Sequence, residues 1–338
     1  MKAVSLLAPQ RIEVVDAPEP GMGAEDVLIQ VGYVGLCGSD LNAYRGLSPL
    51  VTYPRVLGHE IGGTIIARGG NAPADLAVGT RVTVSPYSHC GTCPACRVGR
   101  INTCVSNQTL GVQRDGALAE RIAIHASKVY ASANLSLQEL ALVEPLSVGY
   151  HATTRGGVAA PDTVLVLGCG AVGLGAVAGA ARRGGTVIAT DVDETKLALA
   201  SRLGAAHVLN SARDNVGERV GALTSGEGVS VVIEAVGLPQ TYQMALELVA
   251  TAGRVVCIGY TKQSVELDTR LIVRKELAVM GSRNALSEFG LVIGMLEQRA
   301  NPFPDMITRV VPLEETAQAL ADWSASPQSF TRILVQVG

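Results

Sequence analysis

Four cysteines, Cys90, Cys93, Cys96 and Cys104, stand in the spacing C-x2-C-x2-C-x7-C, in a loop that also holds Gly91, Pro94 and Gly99. Thiolates so close can converge on one tetrahedral Zn2+, and a set of four leaves no open coordination position, so the expected task is structural. Disulfides are the competing reading. A reducing compartment disfavours them, and the other three cysteines are scattered. Further ligand types occur in the runs Gly35-Leu36-Cys37-Gly38-Ser39-Asp40 and Gly58-His59-Glu60-Ile61-Gly62-Gly63. Taken alone these are weak signals, because a lone His is commonly hydrogen-bonded in a core and a lone Cys commonly acts as a small hydrophobe.

A third constellation follows the apolar strand Val164–Leu167, where Gly168-Cys169-Gly170-Ala171-Val172-Gly173 reads as G-x-G-x-x-G opening a helix. In a chain with 38 glycines the hexapeptide alone says little. Its context strengthens it, since a second strand, Thr186–Thr190, ends in Asp191, 23 residues after Gly168. The first glycine permits the tight turn, the second lets backbone approach a pyrophosphate, and the third lets helix and strand pack closely. The helix N-terminus then faces the anion. Asp191 is placed to accept hydrogen bonds from ribose hydroxyls and to repel a 2′-phosphate, which favours NAD over NADP. Cys169 and Cys257 are assigned to packing.

The elements that must position these groups change character along the chain. From Ala3 to about Ser147, short β-type runs such as Val27–Val31 and Arg81–Val84 alternate with Gly- and Pro-rich turns, which predicts an all-β region. After Tyr150 strands and helices alternate: Thr163–Leu167, Ala171–Arg183, Thr186–Thr190, Glu194–Leu203, Val229–Glu234, Tyr242–Val249 and Arg254–Ile258. That is the βαβ signature of a parallel sheet. The tail predicts a helix Phe289–Gln298, a turn at Asn301-Pro302-Phe303-Pro304, a helix near Glu314–Trp323 and a last strand Arg332–Val337. The expected organisation is a β-rich domain over 1–149, a doubly wound cofactor domain over 150–284, and a segment 285–338 that returns to the first.

At 338 residues, one core is too few, and 48% hydrophobic residues with a single Trp fit an α/β protein. A formal charge of −3 and no long run of Lys or Arg exclude a general attraction to nucleic acid or anionic membrane. Val164–Ala181 is 18 residues without a charge, but its five glycines fit a strand, a turn and a small-residue helix better than a membrane span. The early charges Arg11, Glu13 and Asp16 argue against a targeting segment, so the expected compartment is the cytoplasm.

Cys37-Gly38-Ser39-Asp40, Gly58-His59-Glu60 with Gly63 and Gly69 behind it, the four-cysteine loop, Glu144-Pro145-Leu146-Ser147-Val148 and the Gly168–Gly173 turn occur in the order found in the zinc-dependent medium-chain dehydrogenases. The resemblance covers essentially the whole chain and is closest to the sorbitol, galactitol-phosphate and sugar-acid branch. It implies a GroES-like β-rich catalytic domain, a Rossmann cofactor domain, two zinc ions per chain and NAD. Carried over by position, it implies Cys37 and His59 as catalytic zinc ligands, with Glu60 and Glu144 as carboxylates that ligate directly or through water. Ser39 is then placed to accept the alcohol proton. Many relatives carry a relay histidine where this chain has Asn42, which cannot shuttle a proton by titration. Water, the cofactor ribose or His151 are the alternatives.

The implied reaction is oxidation of a secondary alcohol on a small polyhydroxylated substrate, the metal acidifying the alcohol and the nicotinamide taking its hydride. The stretch Met280–Ala285, like Tyr53–Leu57, resembles L-galactonate-type dehydrogenases. Arg283 could grip a carboxylate, a phosphate or vicinal hydroxyls, with Asn284 and Asn42 as further substrate contacts, or could equally touch cofactor or solvent. Simple alcohol and L-threonine oxidation remain alternatives, as do a zinc-free reductase and a non-catalytic NAD-binding regulator. Apolar runs at Val255–Tyr260 and Leu277–Met280, late in the cofactor domain where this family pairs subunits, imply a homodimer or homotetramer.

Overall fold

Along Asp26–Gly35, buried and half-buried residues alternate over most of ten positions, as a strand with one face on a core requires. This strand organises a seven-stranded sheet, pairing antiparallel with Glu60–Arg68, with Arg121–His125 and with Arg332–Gln336 near the end of the chain. Arg81–Val84 and Val129–Ala131 extend the sheet on one side, and Ile307–Pro312 extends it beyond the last strand. A separate three-stranded sheet joins Arg11–Asp16, Lys2–Ala8 and Arg55–Val56. Val31, Leu36, Leu57, Ile61 and Val335 share one core, each contributing about 2 kcal/mol by leaving water.

These features belong to a computed structural model that describes residues 1–261, 263–298 and 302–338. The chain forms two units, Met1–Glu144 together with Phe289–Gly338, and Pro145–Glu288. The boundaries drawn from composition, 149/150 and 284/285, fall a few residues away. The first change of unit occurs inside a continuous helix, Leu137–Arg155, where composition gives no mark.

That helix and a shorter one, Gly38–Tyr44, correct the all-β expectation for the first region. Pro145 lies inside the long helix, and an interior proline, which removes a backbone donor, is read from sequence as a breaker. In the tail, the strand Ile307–Pro312 went unpredicted, the first helix ends at Leu296 and the second runs Thr316–Ala325. Asn301 of the expected turn lies outside the described residues.

The second unit holds a six-stranded, all-parallel sheet in the order Ala205–Asn210, Thr186–Asp191, Thr163–Leu167, Val229–Glu234, Val249–Cys257, Ala278–Gly281. Counted along this unit the order is 3-2-1-4-5-6, the doubly wound Rossmann arrangement. Helices Ala171–Arg182, Glu194–Arg202, Val216–Leu223 and Pro239–Leu248 connect the first five strands. The uncharged stretch Val164–Ala181 is divided between a strand and a helix. Among the described residues no helix is long and apolar enough to cross a membrane.

Candidate metal centre and dinucleotide turn

Cys37 occupies the N-cap of Gly38–Tyr44, just after the central strand ends. Asp40, buried on that helix, accepts the Cys37 N–H at 2.8 Å with one oxygen and the Gly58 N–H at 3.3 Å with the other. One carboxylate thus ties the loop bearing Cys37 to the loop bearing His59. Glu60 begins the next strand and lies opposite Gly35. A Cβ at Gly35 would fall 2.1 Å from Glu60 Oε2, so only glycine leaves room for that carboxylate.

The result is a group of three in which His59 and Glu60 are buried and Cys37 is half-buried. Cys37 Sγ, a His59 ring nitrogen and a Glu60 oxygen lie within 4.8 Å of one another. Among the described residues His59 Nδ1 and Glu60 Oε1, both buried, have no hydrogen-bond partner, and each such group costs about 1–3 kcal/mol if left unsatisfied. Thiolate, imidazole and carboxylate are ligand types that zinc takes at an open site, so the donor set and the orphaned atoms both fit a cation there. Glu60 Oε2 pairs with Arg332 Nη1 at 2.5 Å, and the same guanidinium nitrogen donates to Leu36 O at 2.7 Å.

Glu144 stands outside the group of three. It is buried on the long helix and accepts a hydrogen bond from the Tyr87 hydroxyl. Burial pushes its carboxyl up to about 7, with His59 opposing the rise and Glu60 adding to it. Burial, then the Glu144 charge, hold Tyr87 well above the usual phenol range. Burial works against a charged His59, but Cys37, with Asp40 and Glu144, raises it well above the ordinary histidine value. Ser39 Oγ is buried with no hydrogen-bond partner among the described residues.

The four cysteines also meet. Their sulfurs form one group with no disulfide, with Sγ–Sγ separations of 3.5 Å for Cys93–Cys96, 3.6 Å for Cys90–Cys104 and 3.9 Å for Cys93–Cys104. A Zn–S length of 2.3 Å implies tetrahedral edges of about 3.8 Å. Backbone N–H groups of Cys90, Cys93 and Ser106 point at these sulfurs from 3.3–3.4 Å. Hydrogen bonds from Thr92 hold Cys90 down to about 6, while burial and the neighbouring thiols push Cys96 up to about 11. Four adjacent sulfurs can all be charged only with a cation among them.

In the second unit, a Cβ at Gly173 would lie 1.9 Å from Gly168 O, so the third glycine is required by helix–strand contact. Gly170 faces open space and forms the N-cap of Ala171–Arg182, a cradle of the kind a pyrophosphate fills. Asp191 Oδ2 accepts the Cys169 N–H at 2.7 Å, and Oδ1 accepts the Val192 and Asp193 N–H groups at 2.8 and 3.1 Å. The carboxylate expected to read a ribose therefore also braces the turn.

Of the remaining candidates, Asn42 is half-buried on the helix Gly38–Tyr44, and Arg283 and Asn284, also half-buried, follow the strand Ala278–Gly281 of the second unit. His151 is buried with its Nδ1 held by Glu288 Oε1 at 2.9 Å. Glu288 also receives the Leu286 and Ser287 N–H groups. Tyr87 and Arg332 were missed by sequence reasoning. A charge heading the buried strand run Arg332-Ile333-Leu334-Val335 was a usable signal, whereas nothing in spacing marked Tyr87.

A β-rich unit carrying two metal-ligand clusters and a Rossmann unit with a glycine turn define a two-domain zinc dehydrogenase architecture. Residues 23–134 match the alcohol dehydrogenase GroES-like domain and residues 171–298 match the zinc-binding dehydrogenase family. The chain belongs to the zinc-binding dehydrogenases, an enzyme family. It is 37% identical over 335 residues, 98% of each chain, to an uncharacterised zinc-type alcohol dehydrogenase-like protein of Haemophilus influenzae. It is 34% identical over 289 residues to L-galactonate-5-dehydrogenase of Escherichia coli, covering 85% of this chain and 84% of that one. A solved alcohol dehydrogenase of Escherichia coli CFT073 in complex with NADH superposes with a TM-score of 0.91 at 28% identity, covering 100% of this chain and 99% of that one.

Proposed function

We infer that this enzyme is an NAD-linked, zinc-dependent dehydrogenase that oxidises a secondary alcohol on a polyol, sugar acid or sugar-alcohol phosphate to the ketone. The observation that carries the reading is the convergence of Cys37, His59 and Glu60 on one point, with His59 Nδ1 and Glu60 Oε1 buried and unpartnered among the described residues. The chemistry supplied by the bound groups is acidification of the alcohol by zinc and hydride acceptance by the nicotinamide. Cys37, His59 and one carboxylate, Glu60 or Glu144, hold the catalytic zinc and leave one position for substrate. Ser39 receives the alcohol proton at Oγ, whose lack of any other partner supports that role. Cys90, Cys93, Cys96 and Cys104 hold a second, structural zinc.

Gly168, Gly170, Ala171, Val172 and Gly173 seat the pyrophosphate, and Asp191 binds the ribose hydroxyls and disfavours NADP. The NADH complex of the similar Escherichia coli enzyme supports NAD as the cofactor. The likeness to L-galactonate-5-dehydrogenase supports a sugar-acid type of substrate, with Arg283 as the group that grips its anionic end and Asn284 and Asn42 as further contacts. Pairing of subunits into a homodimer or homotetramer is supported by the exposed edge strand Ala278–Gly281, beside which Val273 and Tyr260 are also exposed. A thiol-held zinc fits a reducing, cytoplasmic setting.

The deciding experiment is a panel of polyols, aldonates, polyol phosphates, L-threonine and simple alcohols with NAD+, on wild type and Arg283→Leu. Polyhydroxylated or anionic substrates are expected to exceed ethanol and 2-propanol in kcat/KM, and the variant to raise KM for the good substrate far more than for a short alcohol. Equal kcat/KM across the panel would remove the substrate assignment. Sedimentation as a monomer at micromolar concentration would remove the oligomer.

A further inference from the structure

Two carboxylates stand beside Cys37 and His59, and a four-coordinate zinc that keeps one position for substrate has room for only one of them. They are held by different partners. Glu60 gives one oxygen to Arg332 at 2.5 Å and keeps the other buried and unpaired within the group of three. Glu144 gives Oε1 to the Tyr87 hydroxyl and lies outside that group.

We propose that Tyr87 is a positioning residue that withholds Glu144 from the catalytic metal, so that Glu60 is the resting carboxylate ligand and the fourth position stays open. The proposal rests on Cys37 and His59 being zinc ligands. A hydroxyl donating to a buried carboxylate fixes its rotamer, and with Oε1 held by Tyr87 the Glu144 carboxylate stays outside the group of three. Phenylalanine at position 87 would keep the ring and remove the hold. Glu144 would then compete with substrate for the fourth position.

The test uses Co2+ alone as the metal, loaded into wild type, Tyr87→Phe, Glu144→Gln and the double variant, with the four-cysteine contribution subtracted using Cys37→Ala. Two quantities are read: the visible absorption band of the catalytic cobalt and its rate of release to a chelator. In Tyr87→Phe the band is expected to shift as an added oxygen ligand joins, and release to slow by about tenfold. Both should return to wild-type values in the double variant, because the added ligand is Glu144. Glu144→Gln alone should match wild type. A Tyr87→Phe band and release rate identical to wild type would overturn the proposal. A double variant that keeps the change would overturn it as well, since repacking rather than Glu144 would then be the cause. If Tyr87→Phe fails to fold, Glu144→Gln decides: unchanged cobalt binding supports the proposal, and loss of the catalytic cobalt overturns it. None of these readouts needs turnover. A protein that passes them yet oxidises nothing in the substrate panel refutes the dehydrogenase reading alone, and an active enzyme that fails them refutes only the role of Tyr87.

Discussion

One metal-ligand cluster of the first unit lies on a loop with Cys90 exposed and all four ligands within residues 90–104, whereas the other, with only Cys37 half-exposed and His59 and Glu60 buried, draws on residues 37, 59 and 60. The loop cluster is chemically uniform, with thiols alone at near-tetrahedral separations and backbone N–H groups turned toward them. The buried cluster mixes sulfur, nitrogen and oxygen, leaves two polar atoms without partners, and is ringed by Asp40, Tyr87, Glu144 and Arg332. A closed, uniform ligand set stabilises a fold, and a mixed, incompletely satisfied one retains a place for a reacting group. The contrast assigns different failures to the two sites.

The largest expected effect tests the reacting site. Cys37→Ala should lower kcat/KM by at least about a thousandfold, roughly 4 kcal/mol of barrier, and reduce metal content by one zinc per chain, with the fold intact. Normal turnover would end the distinction between the two clusters. Next, Arg332→Leu should cost roughly 3–5 kcal/mol in denaturant unfolding of the metal-free protein, because it breaks the buried Glu60–Arg332 ion pair. Adding Glu60→Gln should recover much of that loss, and failure to recover would mean that Arg332 acts through packing instead.

Cys93→Ala is expected to reverse the pattern of Cys37→Ala. Stability should fall by roughly 3 kcal/mol through loss of the loop zinc, while the molecules that remain folded keep their turnover number. Full stability with less than two zinc per chain would show the loop to be dispensable. The smallest effect lies in the second unit. Wild type should prefer NAD+ over NADP+ by at least tenfold, about 1.4 kcal/mol, and Asp191→Ala should narrow that gap. Because Asp191 also receives three backbone N–H groups, the same variant should raise KM for NAD+. A preference that survives intact would move discrimination to another residue.

What was legible in the sequence follows distance along the chain. The four-cysteine loop and the glycine turn are local, so spacing was enough to read them, and strands such as Thr163–Leu167 and Val229–Glu234 carry their own apolar signal. The strand Ala205–Asn210 gave no such signal because most of its first residues are exposed, and the long helix was hidden by Pro145. At the buried cluster, resemblance to a family supplied Cys37, His59, Glu60 and Glu144. Tyr87 and Arg332 belong to that cluster through tertiary contact alone, with 57 and 272 positions separating each from its carboxylate.

That last separation also has a consequence for how the protein is made. Glu60 leaves the ribosome 272 residues before Arg332, an interval of roughly 15–55 s at typical elongation rates. Throughout that time the strand Glu60–Arg68 carries an acidic group bound for the interior with its cation still unsynthesised, and the entire second unit emerges in between. Until then the first unit lacks both this cation and the strand Arg332–Gln336 that pairs with its central strand. Completion of the buried ion pair therefore waits for translation of the cofactor unit, and a chain that ends before residue 332 keeps Glu60 without its cation partner.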